Sequence, residues 1–160
     1  MQRAARNLTK TAWKRGSAMV EFALATTVLF MFIFGVIDFA RAVYAYEYVD
    51  YSARLATRYA MVRGSTCSIT SPTLSGCPAT SGSVQTYIQG QNMPGIISNQ
   101  ITVTTTWPAT GSNCPTAPAP TNSPGCPVRV VVQYPYQTLV PFLPSKSLTL
   151  QSTSQMIITQ

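Results

Sequence analysis

The 160-residue chain has no histidine, and no aspartate or glutamate beyond Asp50. Its C-terminal two-thirds therefore lack the usual general acids and bases. A serine nucleophile there would have no basic partner. No enzyme and no cofactor are expected. Charge is scarce overall: Asp, Glu, Lys and Arg make up 9% of the residues, against roughly 25% in an ordinary soluble domain. Beyond Gly64 the formal charges are Arg129 and Lys146 alone. The net charge of +7 belongs instead to the N-terminus, where Arg3, Arg6, Lys10, Lys14 and Arg15 stand with no acid among them. Without the first sixteen residues, six cations face four acids. With that balance and no glycine-rich phosphate loop, nucleic acid is not expected as a partner. Closely spaced cysteine pairs of the C-x-x-C kind are also missing, and with no histidine a bound metal is not expected. Finally, neither proline nor glycine occurs between Gly35 and Gly64, so nothing there breaks a helix.

Ser17 to Ile37 is an apolar run of twenty-one residues whose one charge is Glu21. As a helix rising ~1.5 Å per residue it spans ~31 Å, which matches the ~30 Å hydrocarbon core of a bilayer. A buried helix of a soluble protein is the bland alternative, but such helices seldom run so far without charge. A cleaved secretory signal is a second alternative, because Ala40-Arg41-Ala42 has the A-x-A form of a signal-peptidase site. Against it, the run exceeds the usual apolar region, and Asp38 and Arg41 sit where a neutral segment is wanted. Five cations before the span predict a cytoplasmic N-terminus, a single pass through the membrane, and an extracytoplasmic C-terminal part.

The helix is expected to continue past the membrane to a stop at Gly64, after Arg58 and Arg63. Asp50 and Arg54 are four apart in the favourable acid-first order. Phe39, Tyr44, Tyr46 and Tyr48 lie just beyond the span, where aromatic rings suit the lipid–water boundary. The five tyrosines from Tyr44 to Tyr59 read as interface anchors and core rather than a ligand box. Thr26 and Thr27 are expected to bond back to their own helix carbonyls.

At Gly64 the composition shifts to Thr, Ser, Pro, Gly and Val. Val84, Tyr87 and Ile88 at helical spacing after Ser83, a candidate cap, predict a short helix up to about Gly90. Alternation predicts one strand with Ile101, Val103, Thr105 and Trp107 on one face. A second carries Val128, Val130, Val132 and Tyr134. A third, from Ser147 to Ile158, places Leu148, Leu150, Met156 and Ile158 together. Pro135, Pro141 and Pro144 are expected to break the chain between the last two strands. Pro115–Pro127 reads as a low-complexity surface loop.

Cys67, Cys77, Cys114 and Cys126 all follow the span, and their even number fits an oxidising compartment. Of the three connectivities, Cys67–Cys77 with Cys114–Cys126 closes the shortest loops and is the one expected.

The junction Arg15-Gly16-Ser17-Ala18-Met19-Val20-Glu21-Phe22-Ala23-Leu24 resembles the class III leader junction of type IV pilin-like proteins. More specifically, the chain looks like a TadE-like pseudopilin of the Tad (Flp) pilus systems. The stretch Ala53-Arg54-Leu55-Ala56-Thr57-Arg58-Tyr59-Ala60 is similar to the Arg-bearing helix that follows the span in that family. The valine strand ending in Tyr134-Pro135-Tyr136, followed by a proline-containing turn and a Ser/Thr-rich strand, also resembles it. One departure is Thr26-Thr27, where many relatives have a proline, so a kinked anchor is not assumed.

The resemblance implies that a prepilin peptidase cuts between Gly16 and Ser17, leaving Glu21 as fifth residue of the mature chain. It implies that Glu21 meets the new amine of a neighbouring subunit during assembly, and that other pilin-like subunits and pilus-assembly proteins are partners. By themselves the residues allow Glu21 to be an interfacial carboxylate solvated by headgroups. For Arg54 and Arg58 the plain expectation is helix-surface pairs or contacts to the sheet, and the alternative is partner docking. The expected fold class is α+β and pilin-like: a long transmembrane helix extending out of the membrane, with a short helix and an antiparallel sheet of about three strands packed on it. The expected division is a basic leader at 1–16, the span at 17–37, its helical extension at 38–64, and a disulfide-bonded domain at 65–160. A structural, non-enzymatic pilus component is the leading reading. An unprocessed bitopic protein with an extracytoplasmic ligand- or surface-binding domain is the alternative.

Overall fold

The computed structural model describes residues 2–71, 73–109, 114, 121–139 and 147–159, with the backbone alone for residues 2–17. The first element, α1, runs from Gln2 to Met61. It thus takes in the basic leader as well as the apolar run, since no proline interrupts a sequence rich in Ala, Arg and Lys. Helix α2 (Cys67–Thr70), helix α3 (Ser81–Gln89) and a 3-10 turn at Ser98–Gln100 follow, then strands β1 (Thr102–Thr106), β2 (Pro127–Tyr136) and β3 (Leu148–Ile157). The strands form one antiparallel sheet in the order β1-β2-β3. The fold is α+β, as the sequence predicts: a long apolar N-terminal helix, a short helix and a three-stranded antiparallel sheet.

The chain divides into two compact units. One comprises Met1–Arg41 with Leu139–Phe142, the other Ala42–Thr138 with Leu143–Gln160. In the first unit the large apolar side chains of α1 from Met19 onward face outward: Met19, Phe22, Leu24, Phe32, Val36 and Phe39 are each exposed by 65% or more. Leaving such a side chain in water costs about 1.5–3 kcal/mol, so this surface calls for a non-aqueous neighbour. Thr27 donates its hydroxyl to the Ala23 carbonyl at 2.9 Å, satisfying it within the helix.

The second unit is built on α1 residues recurring every three or four positions: Ala45, Tyr48, Val49, Ser52, Ala53, Ala56, Thr57 and Ala60, all buried. Most are small, which lets the sheet come close to the helix axis. Opposite them lie Val103 of β1 and Val128, Val130, Val132, Tyr134 and Tyr136 of β2. The register sets Val103 against Val132, and Thr105 against Val130. It sets Val128 against Met156, and Tyr134 against Leu150. Ala56 is fully buried here. Ala56→Leu is therefore expected to destabilise the domain by about 1–3 kcal/mol through overpacking. Thermal unfolding of the detergent-solubilised chain measures this, and an unchanged midpoint would show slack between α1 and the sheet.

Several local expectations need correction. Helix α1 ends at Met61 rather than at Gly64. The carbonyl of Met61 accepts from Thr159 N at 3.1 Å and that of Arg63 from Ala79 N at 2.8 Å, so tertiary partners satisfy the helix end. Helix α3 starts earlier than predicted. Its cap is Thr80, and Ser83 is the third residue of a capping box, each side chain bonding the other's backbone. Pro135 does not break the chain; it lies within β2, paired with Thr149. β1 reaches only as far as Gln133, so at Pro135 one side of β2 has no neighbour to miss the absent N–H. Leu148 lies on the predicted face of β3 but is 57% exposed, at the first position of the strand. Pro141 and Pro144, and most of the Pro115–Pro127 loop, lie outside the described residues.

Candidate functional site

The residues singled out by sequence fall along α1 and on the loops that follow it. Gly16 and Ser17 are consecutive residues within the helical backbone of α1. Glu21 follows one turn later on an exposed stretch, and it has an interaction partner within the structure. From Ala18 onward α1 is, among the described residues, the one helix long and apolar enough to cross a membrane, and none of that apolar stretch is buried inside the protein. Around Gly35 this surface has a shallow apolar notch of about 400 Å³, lined by Met31, Phe32, Val36 and Phe39. A Cβ on Gly35 would meet nothing within 4 Å. The notch's one trace in the sequence is a lone glycine among aromatic residues.

Asp38 reads in the sequence only as an obstacle to signal cleavage, yet it is nearly buried, at 9% exposure. Its Oδ1 accepts from the Leu139 backbone N–H at 3.2 Å and from the Arg41 guanidinium at 3.4 Å. A carboxylate holding a backbone amide 101 residues away is a fastening that spacing alone could not reveal. The i,i+3 pairing with Arg41 is its only local trace.

In the second unit, Asp50 and Arg54 pair at 2.7 Å in the predicted i,i+4 geometry. Asp50 also accepts from the Ser152 hydroxyl at 2.9 Å, tying α1 to β3. Arg58 lies exposed on the same face as Arg54. Two of the tyrosines expected at the lipid boundary instead bond the loop after α3: Tyr48 donates to the Gln91 carbonyl and Tyr44 to that of Pro94, both at 3.2 Å. Tyr48 is core, at 4% exposure. Tyr59 stacks on Tyr87 with ring centroids 4.2 Å apart, and the Arg63 guanidinium lies 3.8 Å from the centre of the Tyr59 ring. Arg63 also donates to the Ser75 carbonyl at 3.1 Å, which gathers the loop after α2 onto the helix end.

Cys67 is joined to Cys77, and Cys114 to Cys126, with Cα separations of 5.9 and 5.3 Å. Among the described residues no group of three or more His, Cys, Asp or Glu side chains could hold a metal. The arrangement offers an apolar anchor with an acidic residue near its start, and a stapled domain carrying an exposed helical face. It has the chemistry of anchoring and association.

Residues 16–58 match the family model described as TadE-like protein. That stretch is TadE-like. The match begins at the glycine of the junction, includes Glu21, the apolar run, Arg54 and Arg58, and stops before the first cysteine. No curated protein and no solved structure matches the chain.

Proposed function

We propose that this chain is a structural, non-enzymatic subunit of a Tad-type (Flp) pilus: a pseudopilin anchored in the inner membrane and cut by a prepilin peptidase between Gly16 and Ser17. The observation that carries this reading is the TadE-like match, which starts at Gly16 and takes in both Glu21 and the span. The basic leader at 1–16 stays cytoplasmic, 17–37 crosses the bilayer, α1 continues beyond it to Met61, and 65–160 is extracytoplasmic. Two disulfides suit that oxidising side. Glu21 is costly in lipid, and such a group is a functional site by default. After cleavage the new amine of Ser17 on a neighbouring subunit is the cation it meets. The other pilin-like subunits are the partners.

Intact-mass measurement of the membrane-extracted chain tests this reading. The mature protein is expected to begin at Ser17. Gly16→Leu is expected to keep the leader, because cleavage at this bond needs close backbone access that a side chain blocks. A wild-type chain beginning at Met1 would favour the unprocessed bitopic protein, and one beginning near Val43 a secreted domain.

A further inference from the structure

Leu139 lies just past the end of β2, with its side chain 73% exposed. It belongs to the same compact unit as α1 up to Arg41. Within that unit its backbone N–H donates to the Asp38 carboxylate at 3.2 Å. Asp38 is the first residue beyond the 17–37 span, a step of ~1.5 Å along the helix. The headgroup layer on each side of a bilayer is about 5–7 Å deep, so this bond holds the chain at Leu139 within that layer. Asp38 also accepts from the Arg41 guanidinium at 3.4 Å, which pairs its charge. Phe39, the next residue of α1, is 71% exposed. Two large apolar side chains from distant parts of the sequence are thus uncovered where α1 leaves the span.

We propose that Leu139 is a second point of contact with the bilayer: its side chain sits beside Phe39 at the headgroup–acyl boundary of the outer leaflet, and Asp38 holds it there. The 17–37 span is taken from the reading above, and the contact goes beyond it. Three features select a lipid surface as the occupant. The site continues the apolar surface of the span, where Phe32 and Val36 are as open as Phe39. In the sequence Leu139 opens the run Leu-Val-Pro-Phe-Leu-Pro, which has no charge and no hydrogen-bonding side chain. That composition suits burial at the boundary and offers nothing to a polar partner. Its two prolines bring no N–H that would need an acceptor in lipid. Third, a backbone amide brought to this depth has little water to bond, and Asp38 supplies the acceptor for Leu139. Residues 42–138 then leave the membrane surface at Arg41 and return to it at Leu139, so the folded segment between them is attached at both ends.

The test uses the full chain reconstituted in phosphatidylcholine–phosphatidylglycerol vesicles doped with a phospholipid that carries a diazirine on an acyl carbon near the headgroup. Light releases dinitrogen from the diazirine, and the carbene left behind inserts into a neighbouring C–H bond. Trypsin cuts after Arg41, Arg129 and Lys146, so the span and Leu139 are read on separate peptides, one ending at Arg41 and one covering 130–146. Lipid adducts are expected on the span peptide and at Leu139, and not at Thr153 or Gln155, which are exposed on β3. Asp38→Ala should lower the Leu139 adduct severalfold with the span adduct unchanged. Asp38→Asn, which keeps an acceptor for the Leu139 amide, should retain most of it. Span adducts with none at Leu139, or adducts as frequent at Thr153 and Gln155 as at Leu139, would overturn the contact and leave the span standing. A Leu139 adduct undiminished in Asp38→Ala would overturn the part given to Asp38. Absence of adducts on the span peptide would sink the span reading, and the contact with it.

Discussion

Replacing Cys67 and Cys77 by alanine is expected to lower the thermal midpoint of the C-terminal domain by roughly 12–24 °C. The loop they close is short, with a sequence separation of 10, and closing such a loop contributes about 3 kcal/mol, mainly by restricting the unfolded chain. In a domain of this size about 1 kcal/mol shifts the midpoint by roughly 4–8 °C. This domain has few other restraints on that segment: α2 is a single turn, and the loop is otherwise held by the Ser75 carbonyl on Arg63 and by Ala79 N on the Arg63 carbonyl. Alanine is the right replacement at Cys67, because its side chain is fully buried and a serine hydroxyl would need a partner there. The Cys114–Cys126 pair closes a comparable loop, with a separation of 12. It fastens the start of β2, where Cys126 is buried and its carbonyl accepts from Ile158 N at 2.9 Å. Removing both pairs should therefore take away most of a stability that for such a domain is ~5–15 kcal/mol in all. Calorimetry of the detergent-solubilised variants measures the shifts. A Cys67→Ala, Cys77→Ala chain melting within a degree or two of wild type would mean that the loop is ordered by its hydrogen bonds alone.

Periodicity carries most of the fold because each element has one buried face. Alternation in Val128–Tyr134 and in Ile101–Trp107 marks the strands, and the absence of Pro and Gly after Gly35 marks the long helix. What the pattern misses has a common cause: the deciding partner is remote in sequence. Pro135 is tolerated because β1 stops at Gln133, a fact about another strand. Tyr48 is core because the loop after α3 folds over it, though its position beside the span reads as a lipid-boundary anchor. Asp38 fastens the backbone of Leu139, and nothing near Asp38 announces that. At the candidate site the junction residues Gly16, Ser17 and Glu21 are proposed from a local pattern, a small residue before an apolar run with one early carboxylate, and they lie within the TadE-like match. The exposed face of α1 is half legible. The Asp50–Arg54 pair follows from spacing, but the Ser152 hydroxyl that Asp50 also accepts from lies on β3, 102 residues away.

Glu21→Leu is expected to leave protein level and leader cleavage unchanged while abolishing co-assembly with other pilin-like subunits. A carboxylate in this stretch costs insertion energy of up to ~3 kcal/mol, less near the interface, so leucine should insert at least as well as the native residue. Cleavage should persist, because on the proposed reading the peptidase acts at Gly16–Ser17 and the substitution lies a full helical turn beyond it. Association should fail because the Ser17 amine of the neighbour loses its anion in a medium where no water can replace it. Glu21→Gln separates charge from hydrogen bonding. It keeps an acceptor of similar shape, so a salt-bridged contact should be lost in this variant as well, while one held by hydrogen bonds alone should survive in part. Crosslinking between subunits in membranes and counts of surface filaments read the outcome, with intact mass confirming the Ser17 start in every variant. Wild-type crosslinking and filament number in Glu21→Leu would reduce Glu21 to a carboxylate resting among headgroups, and the assembly reading would then stand on Gly16 and the TadE-like match.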